Sequence, residues 1–188
     1  NNFASKPIEW KGCAAIEDGH RTEDLTAARL RMVEGLELHT HKEDGSQYGF
    51  NMGFFCGHYD GVIRGLLQAP LTWHIWENKT VNEKKFNDLI KKKKELGEKN
   101  ALQAWDGIYY AQAVVYMYAE GLTRHYTTVE TPGGRDITSV RTNENTKFAE
   151  ALIRKAERIH KAKEPPEKAW GKDFYKCKWC NFYEECHG

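Results

Sequence analysis

Asp60, Glu77 and Lys79 are the residues whose types and spacing could do chemistry together. Glu77 and Lys79 stand two apart in Trp76-Glu77-Asn78-Lys79-Thr80, among strand-forming residues. Strand side chains alternate between faces, so these two point the same way. Asp60 closes the run Gly57-His58-Tyr59-Asp60, ahead of Gly61-Val62-Ile63-Arg64, and can meet them from a neighbouring strand. A carboxylate pair suits a hard divalent cation such as Mg²⁺ or Mn²⁺. An ammonium beside it can steady an attacking water or the charge developing on a phosphodiester. The plainer alternative is a Glu-x-Lys on a solvated strand edge.

Two helical stretches offer further groups. Glu23 lies in the first turn of a helix opening at Asp18-Gly19-His20-Arg21-Thr22. A carboxylate there can merely favour the helix dipole, worth about 0.3–1 kcal/mol, or reach the sheet as a third metal ligand. His20, one turn earlier, is a fallback. Gln112 and Tyr116 are four apart on a strong helical stretch and share one face. Tyr116 could be a plain core aromatic; Gln112, set among Ala and Val, needs hydrogen-bond partners if buried.

The last dozen residues carry Cys177-Lys178-Trp179-Cys180 and Cys186, interleaved with aromatics. Three thiols at this spacing can share one metal centre, although tetrahedral zinc or a cubane cluster normally takes a fourth ligand. Cys13 is the best candidate, with His187 as a substitute for zinc; three unligated cysteines are the alternative. Cys56, within a strand-like run, reads as a buried small hydrophobe.

The elements that must position these groups follow from periodicity. Asp18 to about Thr40 reads as a helix whose apolar positions Leu25, Ala28, Leu30, Met32, Val33 and Leu36 approximate a stripe. Residues 47–66 and 71–80 read as three strands, broken near Gly57 and at Gln68-Ala69-Pro70. Asn82 to about Leu96 and Ala101 to Glu120 read as helices, the second ended by Gly121. Arg124–Thr131 and Asp136–Arg141 flank the turn at Pro132-Gly133-Gly134, and a helix follows from Asn143 to about Lys163.

Composition bounds the rest. At 188 residues the chain suits one domain, residues 1–188, with a core at about 19–163 and a cysteine-rich tail at about 170–188. Net charge is +1, so composition alone does not announce a nucleic-acid binder. Charge is nonetheless uneven, with seven lysines between Lys84 and Lys99. Five cysteines in an ordinary composition argue against a secreted disulfide scaffold. With no membrane-spanning run and no signal peptide, the expected setting is cytoplasmic, without a membrane partner.

Asp60, Glu77-Asn78-Lys79 and Gln112-Ala113-Val114-Val115-Tyr116, in that order on those element types, resemble the PD-(D/E)XK nuclease superfamily. The flanking residues are most similar to its RecB-like branch of phage and bacterial recombination exonucleases, over roughly Gly19 to Tyr116. The resemblance implies an α/β (α+β) restriction-endonuclease-like core: a central mixed sheet flanked by helices in αβββαβ order. It implies an Mg²⁺- or Mn²⁺-dependent DNA exonuclease serving recombination, repair or phage replication, with DNA and a recombination protein as partners. Asp60, Glu77, the backbone carbonyl of Asn78 and Glu23 would hold metal. Lys79 would be the catalytic lysine, and Gln112 and Tyr116 would position the scissile nucleotide. Lys84, Lys85 and Lys91, Lys92, Lys93 and Lys94 are candidates for backbone phosphates, against a solvated helix face. The tail resembles the 4Fe-4S staple of Cas4- and AddB-type nucleases, with zinc as the alternative on Cys13, Cys177, Cys180 and Cys186. A structure-specific endonuclease or resolvase on the same fold, or a non-catalytic DNA-binding subunit, are the alternative functions.

Overall fold

A helix, α1 (Ala14–Arg31), opens the computed structural model, which describes residues 14–177 and 180–188, with side chains from residue 17 onward. Next come β1 (Glu37–His39), β2 (Gly49–Asn51), β3 (Cys56–His58), β4 (Gly61–Arg64) and β5 (His74–Thr80). Three helices follow, α2 (Glu83–Leu96), α3 (Glu98–Trp105) and α4 (Gly107–Glu120). The chain then forms β6 (Arg124–Glu130), β7 (Ile137–Asn143), α5 (Thr146–Lys161) and a short α6 (Tyr183–His187). Among the described residues five strands form one mixed sheet, ordered β1-β4-β5-β6-β7, while β2 and β3 make a separate ribbon. Only β5 and β6 pair in parallel within that sheet. A parallel pair needs a crossover connection, which α2 to α4 supply. The chain is therefore α+β, with a central mixed sheet flanked by helices.

Each face of the sheet has its own core. Ala27 of α1 packs with Leu38, Ile63 and the fully buried Trp76. On the other face Ile75, Val129 and Val140 meet Leu89, Leu102, Ala113, Val114 and Met117 from the crossover helices and α4. Central β5 thus has two differently employed faces. Trp76 and, by alternation, Asn78 belong to the α1 side; Ile75, Glu77 and Lys79 belong to the α4 side.

Several boundaries differ from the sequence reading for identifiable reasons. The first helix stops at Arg31 instead of running to about Thr40. Gly35 takes φ +83°, and Glu37–His39 leave the helix to pair antiparallel with β4. Gly65 (φ +90°) permits this approach, because a Cβ there would stand 1.8 Å from the Gly35 carbonyl oxygen. The helix expected over 101–120 is divided at Asp106. Its carboxylate accepts from the Ile108 and Tyr109 N–H groups at 2.9 and 3.0 Å, capping α4 and ending α3. Cys56 is exposed, not buried. It sits on the two-stranded ribbon, which adds no strand to the main sheet and so leaves that position uncovered.

Candidate active site

Register brings the two sheet carboxylates together. In the antiparallel β4–β5 pair Gly61 stands opposite Trp76 and Val62 opposite Ile75. Asp60, one residue before β4, therefore falls beside Glu77. Asp60 Oδ2 accepts the Asn78 backbone N–H at 2.7 Å, which fixes its carboxylate against β5. From the same strand Lys79 Nζ donates to Glu77 Oε1 at 2.5 Å. The other oxygen, Glu77 Oε2, is buried and has no hydrogen-bond partner among the described residues. Burying an unpaired carboxylate oxygen is costly unless something compensates its charge.

Glu23 arrives from α1, and its carboxyl is coupled electrostatically to the two sheet acids. Burial, then Asp60 and Glu77, raise its carboxyl from 4.5 to about 7. Glu77 is likewise raised to about 7, by burial and by Asp60, against the opposing pull of Lys79. Asp60 is raised by burial, in spite of the Asn78 N–H, Lys79 and His20. For Lys79 burial alone would lower the pKa; Glu77 and Asp60 outweigh it and hold the ammonium above its usual range. Three mutually repelling acids around one ammonium form a site with surplus negative charge.

α4 supplies the far wall. Tyr116 is buried and its phenol is pushed up to about 12, by burial first and then by Glu77; Gln112 hydrogen-bonds its side chain. The two residues share one helical face, as their four-residue spacing requires. Tyr109, not anticipated from sequence, lies beneath two cations: Lys79 Nζ is 5.2 Å and Lys85 Nζ 4.5 Å from its ring centroid. Lys85 is held there by Asp106 Oδ2 at 2.6 Å.

A polar network on the opposite face of β5 was also not anticipated. Glu130, fully buried at the end of β6, accepts from Asn78 Nδ2 at 2.7 Å and from Thr26 Oγ1 at 2.6–2.7 Å. It links the helix bearing Glu23 to the strand bearing Glu77 and Lys79. Thr26 lies three residues after Glu23, on the same helix face, so that half of the link was available in the sequence. Glu130, immediately before Thr131-Pro132-Gly133-Gly134, carries no such local signal.

The lysine run divides by environment. Lys84, Lys91 and Lys94 are exposed, Lys91 lying 3.9 Å from Glu95. Lys92 is partly buried. Lys93 is tied into the fold, donating to Ser139 O at 2.5 Å and Thr138 Oγ1 at 3.1 Å. In the tail Cys180 and Cys186 are exposed and Cys177 is partly so. Cys13 lies outside the described residues. Among the described residues no three His, Cys, Asp or Glu side chains already stand as an ion-holding group. That applies to the tail thiols and to the acid cluster alike. The acid cluster nevertheless has the donor set and the unpartnered oxygen that a divalent cation would satisfy.

No protein-family model matches the chain, and no curated protein matches it. Among solved structures it is similar to the crystal structure of SSO0001, at 18% identity and a TM-score of 0.53. The alignment covers 93% of this chain and 71% of that one. At that identity the likeness speaks for the fold alone. Among the described residues no helix is long and apolar enough to cross a membrane.

Proposed function

We propose that this chain is a metal-dependent DNA exonuclease of the PD-(D/E)XK superfamily, RecB-like branch. The observation that carries the reading is the pairing of Asp60 beside Glu77 across β4 and β5, with the Lys79 ammonium bonded to Glu77; the Glu23 carboxyl of α1 is coupled electrostatically to both acids. A merely structural ion pair needs one carboxylate. Two further acids raised toward neutrality are a cost to the fold, and such clusters mark functional sites.

Glu23, Asp60, Glu77 and the Asn78 carbonyl would hold Mg²⁺ or Mn²⁺. Bound there, the ion would polarise a phosphodiester and supply a water nucleophile near neutral pH. The chain's own groups do the rest. The Asn78 N–H fixes the Asp60 carboxylate against β5 through one oxygen. Lys79, kept protonated by Glu77 and Asp60, offers positive charge to the phosphoryl oxygens as negative charge grows there. Gln112 orients the Tyr116 hydroxyl, and together they bound the space beside Glu77. Tyr109 and Asp106 hold Lys85 at the same ring that Lys79 approaches, where it would meet a neighbouring phosphate.

The restriction-endonuclease-like assignment of the sheet and a metal at Cys13, Cys177, Cys180 and Cys186 belong to the same proposal. Iron, sulfide and zinc analysis of protein purified without oxygen tests the tail centre. Linear and circular DNA incubated with Mg²⁺, Mn²⁺ or chelator tests the activity. Loss of linear DNA alone, dependent on the ion, is the expected result. Cutting of circles would replace the exonuclease by an endonuclease, and retardation without cleavage by a binding subunit. Asp60→Ala and Lys79→Ala should each lower turnover about a thousandfold or more while circular dichroism stays unchanged. Normal turnover by either variant overturns the site.

A further inference from the structure

Two ammonium groups converge on one aromatic ring. Lys79 Nζ stands 5.2 Å and Lys85 Nζ 4.5 Å from the Tyr109 centroid. Like charges sharing a ring repel, and each is offset by its own carboxylate: Glu77 meets Lys79 at 2.5 Å, and Asp106 meets Lys85 at 2.6 Å. The ring itself is fixed. Tyr109 lies seven residues, two turns, before Tyr116 and so shares the α4 face that carries Gln112 and Tyr116. Its N–H donates to Asp106 Oδ1 at 3.0 Å. Its ring tilts against Trp105 at 5.6 Å, and the Trp105 indole N–H donates to the Lys85 carbonyl at 2.8 Å.

The two ion pairs differ in what else their carboxylates must do. Asp106 serves the fold alone, capping α4 through the Ile108 and Tyr109 N–H groups, so Lys85 keeps its partner throughout. Glu77 belongs to the set that would hold Mg²⁺ or Mn²⁺, and a carboxylate neutralised by such an ion attracts an ammonium less. A ring face answers differently. Hard divalent cations take oxygen ligands and leave it alone, whereas its quadrupole attracts an ammonium. That attraction grows as the ammonium is desolvated, and the Lys79 side chain is only 20% exposed. Tyr109 thus offers Lys79 a hold that does not depend on the charge of Glu77.

We infer that Tyr109 is a positioning residue for Lys79, its ring keeping the ammonium in place when Glu77 gives its charge to the divalent ion. The inference rests on the nuclease reading and adds to it a residue that acts through Lys79. The test uses the full chain and two variants: Tyr109→Leu removes the ring, and Tyr109→Phe keeps its face. With Mn²⁺ and linear DNA, Tyr109→Leu should lower kcat about 30-fold, the worth of a desolvated cation–π contact, and Tyr109→Phe less than about threefold. KM should change little, because Asp106 and Trp105 still hold Lys85. Lys79→Ala should be equally slow with or without Tyr109→Leu, since the ring works only through that ammonium. A second readout needs no ion. In metal-free protein the ring current should shift the Lys79 ε-methylene NMR signal upfield in wild type and Tyr109→Phe, and not in Tyr109→Leu. Circular dichroism shows that each variant keeps its fold, and the wild-type signal decides even where Tyr109→Leu does not fold. Tyr109→Phe as slow as Tyr109→Leu, Tyr109→Leu as fast as wild type, a loss in KM instead of kcat, or an unshifted wild-type signal overturns the role of Tyr109 while leaving the nuclease standing. No cleavage of any DNA by wild type overturns both.

Discussion

Removing the Glu130 carboxyl should destabilise the protein more than any substitution among the acids nearer the proposed reaction. Its two oxygens are the acceptors for Asn78 Nδ2 and Thr26 Oγ1, and it is fully buried. The Thr26 hydroxyl lies 2.6–2.7 Å from both oxygens, but its single proton can serve only one at a time. Glu130→Ala therefore strands two buried donors, at about 1–3 kcal/mol each. A total of roughly 2–6 kcal/mol is a large part of the 5–15 kcal/mol that holds a typical domain. Glu130→Gln keeps the volume and one acceptor, so about 1–2 kcal/mol is expected. Urea denaturation of the two variants measures the stability difference directly. In Glu130→Gln, which should fold, DNA turnover should fall while affinity for DNA is unchanged. Asn78, which loses its partner, also donates the N–H that fixes Asp60. Thr26→Val combined with Glu130→Gln should not cost the simple sum of the two, since Thr26 and Asn78 share one carboxylate and the losses are coupled. Glu130→Ala within 0.5 kcal/mol of wild type would refute the account of this network.

The remaining predictions concern pH, the ribbon and the lysines. Burial, reinforced by Lys79, lowers the His125 imidazole from 6.5 to about 3, so the folded protein binds fewer protons there than the unfolded chain. Its contribution is complete above 6.5 and is lost as pH falls toward 3. Glu23 and Glu77 act in the opposite sense, losing stability as pH rises from 4.5 through about 7. The difference in stability between wild type and His125→Gln across pH 4–7, measured by denaturation, should thus narrow with acid; a constant difference counts against a neutral buried imidazole. Gly57→Ala forces the ribbon or Tyr116 to move and should lower turnover with little change in melting temperature, because the ribbon lies outside the main sheet. Equal activity would show that Tyr116 has room. Lys84→Ala should reduce the salt dependence of DNA binding by about one unit of slope. Lys93→Ala should instead cost about 1.5–3 kcal/mol in urea, because its bonds to Ser139 and Thr138 are structural.

What could be read in advance was whatever depends on local periodicity. Glu77 and Lys79 share a strand face, and Gln112 and Tyr116 share a helix face, because two-residue and four-residue spacings fix those outcomes. The meeting of Asp60 with Glu77 needed only an antiparallel pairing across the short Gln68-Ala69-Pro70 connection. Asp106 was missed because one polar residue within an otherwise good helix pattern looks like a solvated position. Its carboxylate caps α4 through the Ile108 and Tyr109 N–H groups and also holds Lys85, twenty-one residues earlier, a pairing that no local pattern carries. Cys56 misled because an aromatic-rich run reads as core whether its strand joins the main sheet or a ribbon outside it. Glu130 contacts partners 52 and 104 residues away, and no local pattern carries that.

β5 joins these cases, because its two faces have opposing demands. On the α4 side Glu77 and Lys79 must keep polar atoms available, and Glu77 Oε2 remains buried without a partner among the described residues. That unpaired oxygen disfavours this register on the α4 side. The α1 side opposes that. Trp76 anchors its indole on Thr128 Oγ1 at 3.0 Å, and Asn78 donates to Glu130 and accepts from Thr128 Oγ1 at 2.7 Å. A one-residue slip would exchange the faces and lose every one of these bonds at once. The buried polar network thus sets the register that keeps the acids in place, so weakening it should disturb their geometry before it unfolds the chain. Hydrogen exchange in Glu130→Gln decides the point: faster exchange should begin at the Asn78 amide while Leu89 and Leu102 of the core remain protected. Uniform acceleration across both faces would mean that the network supplies stability alone.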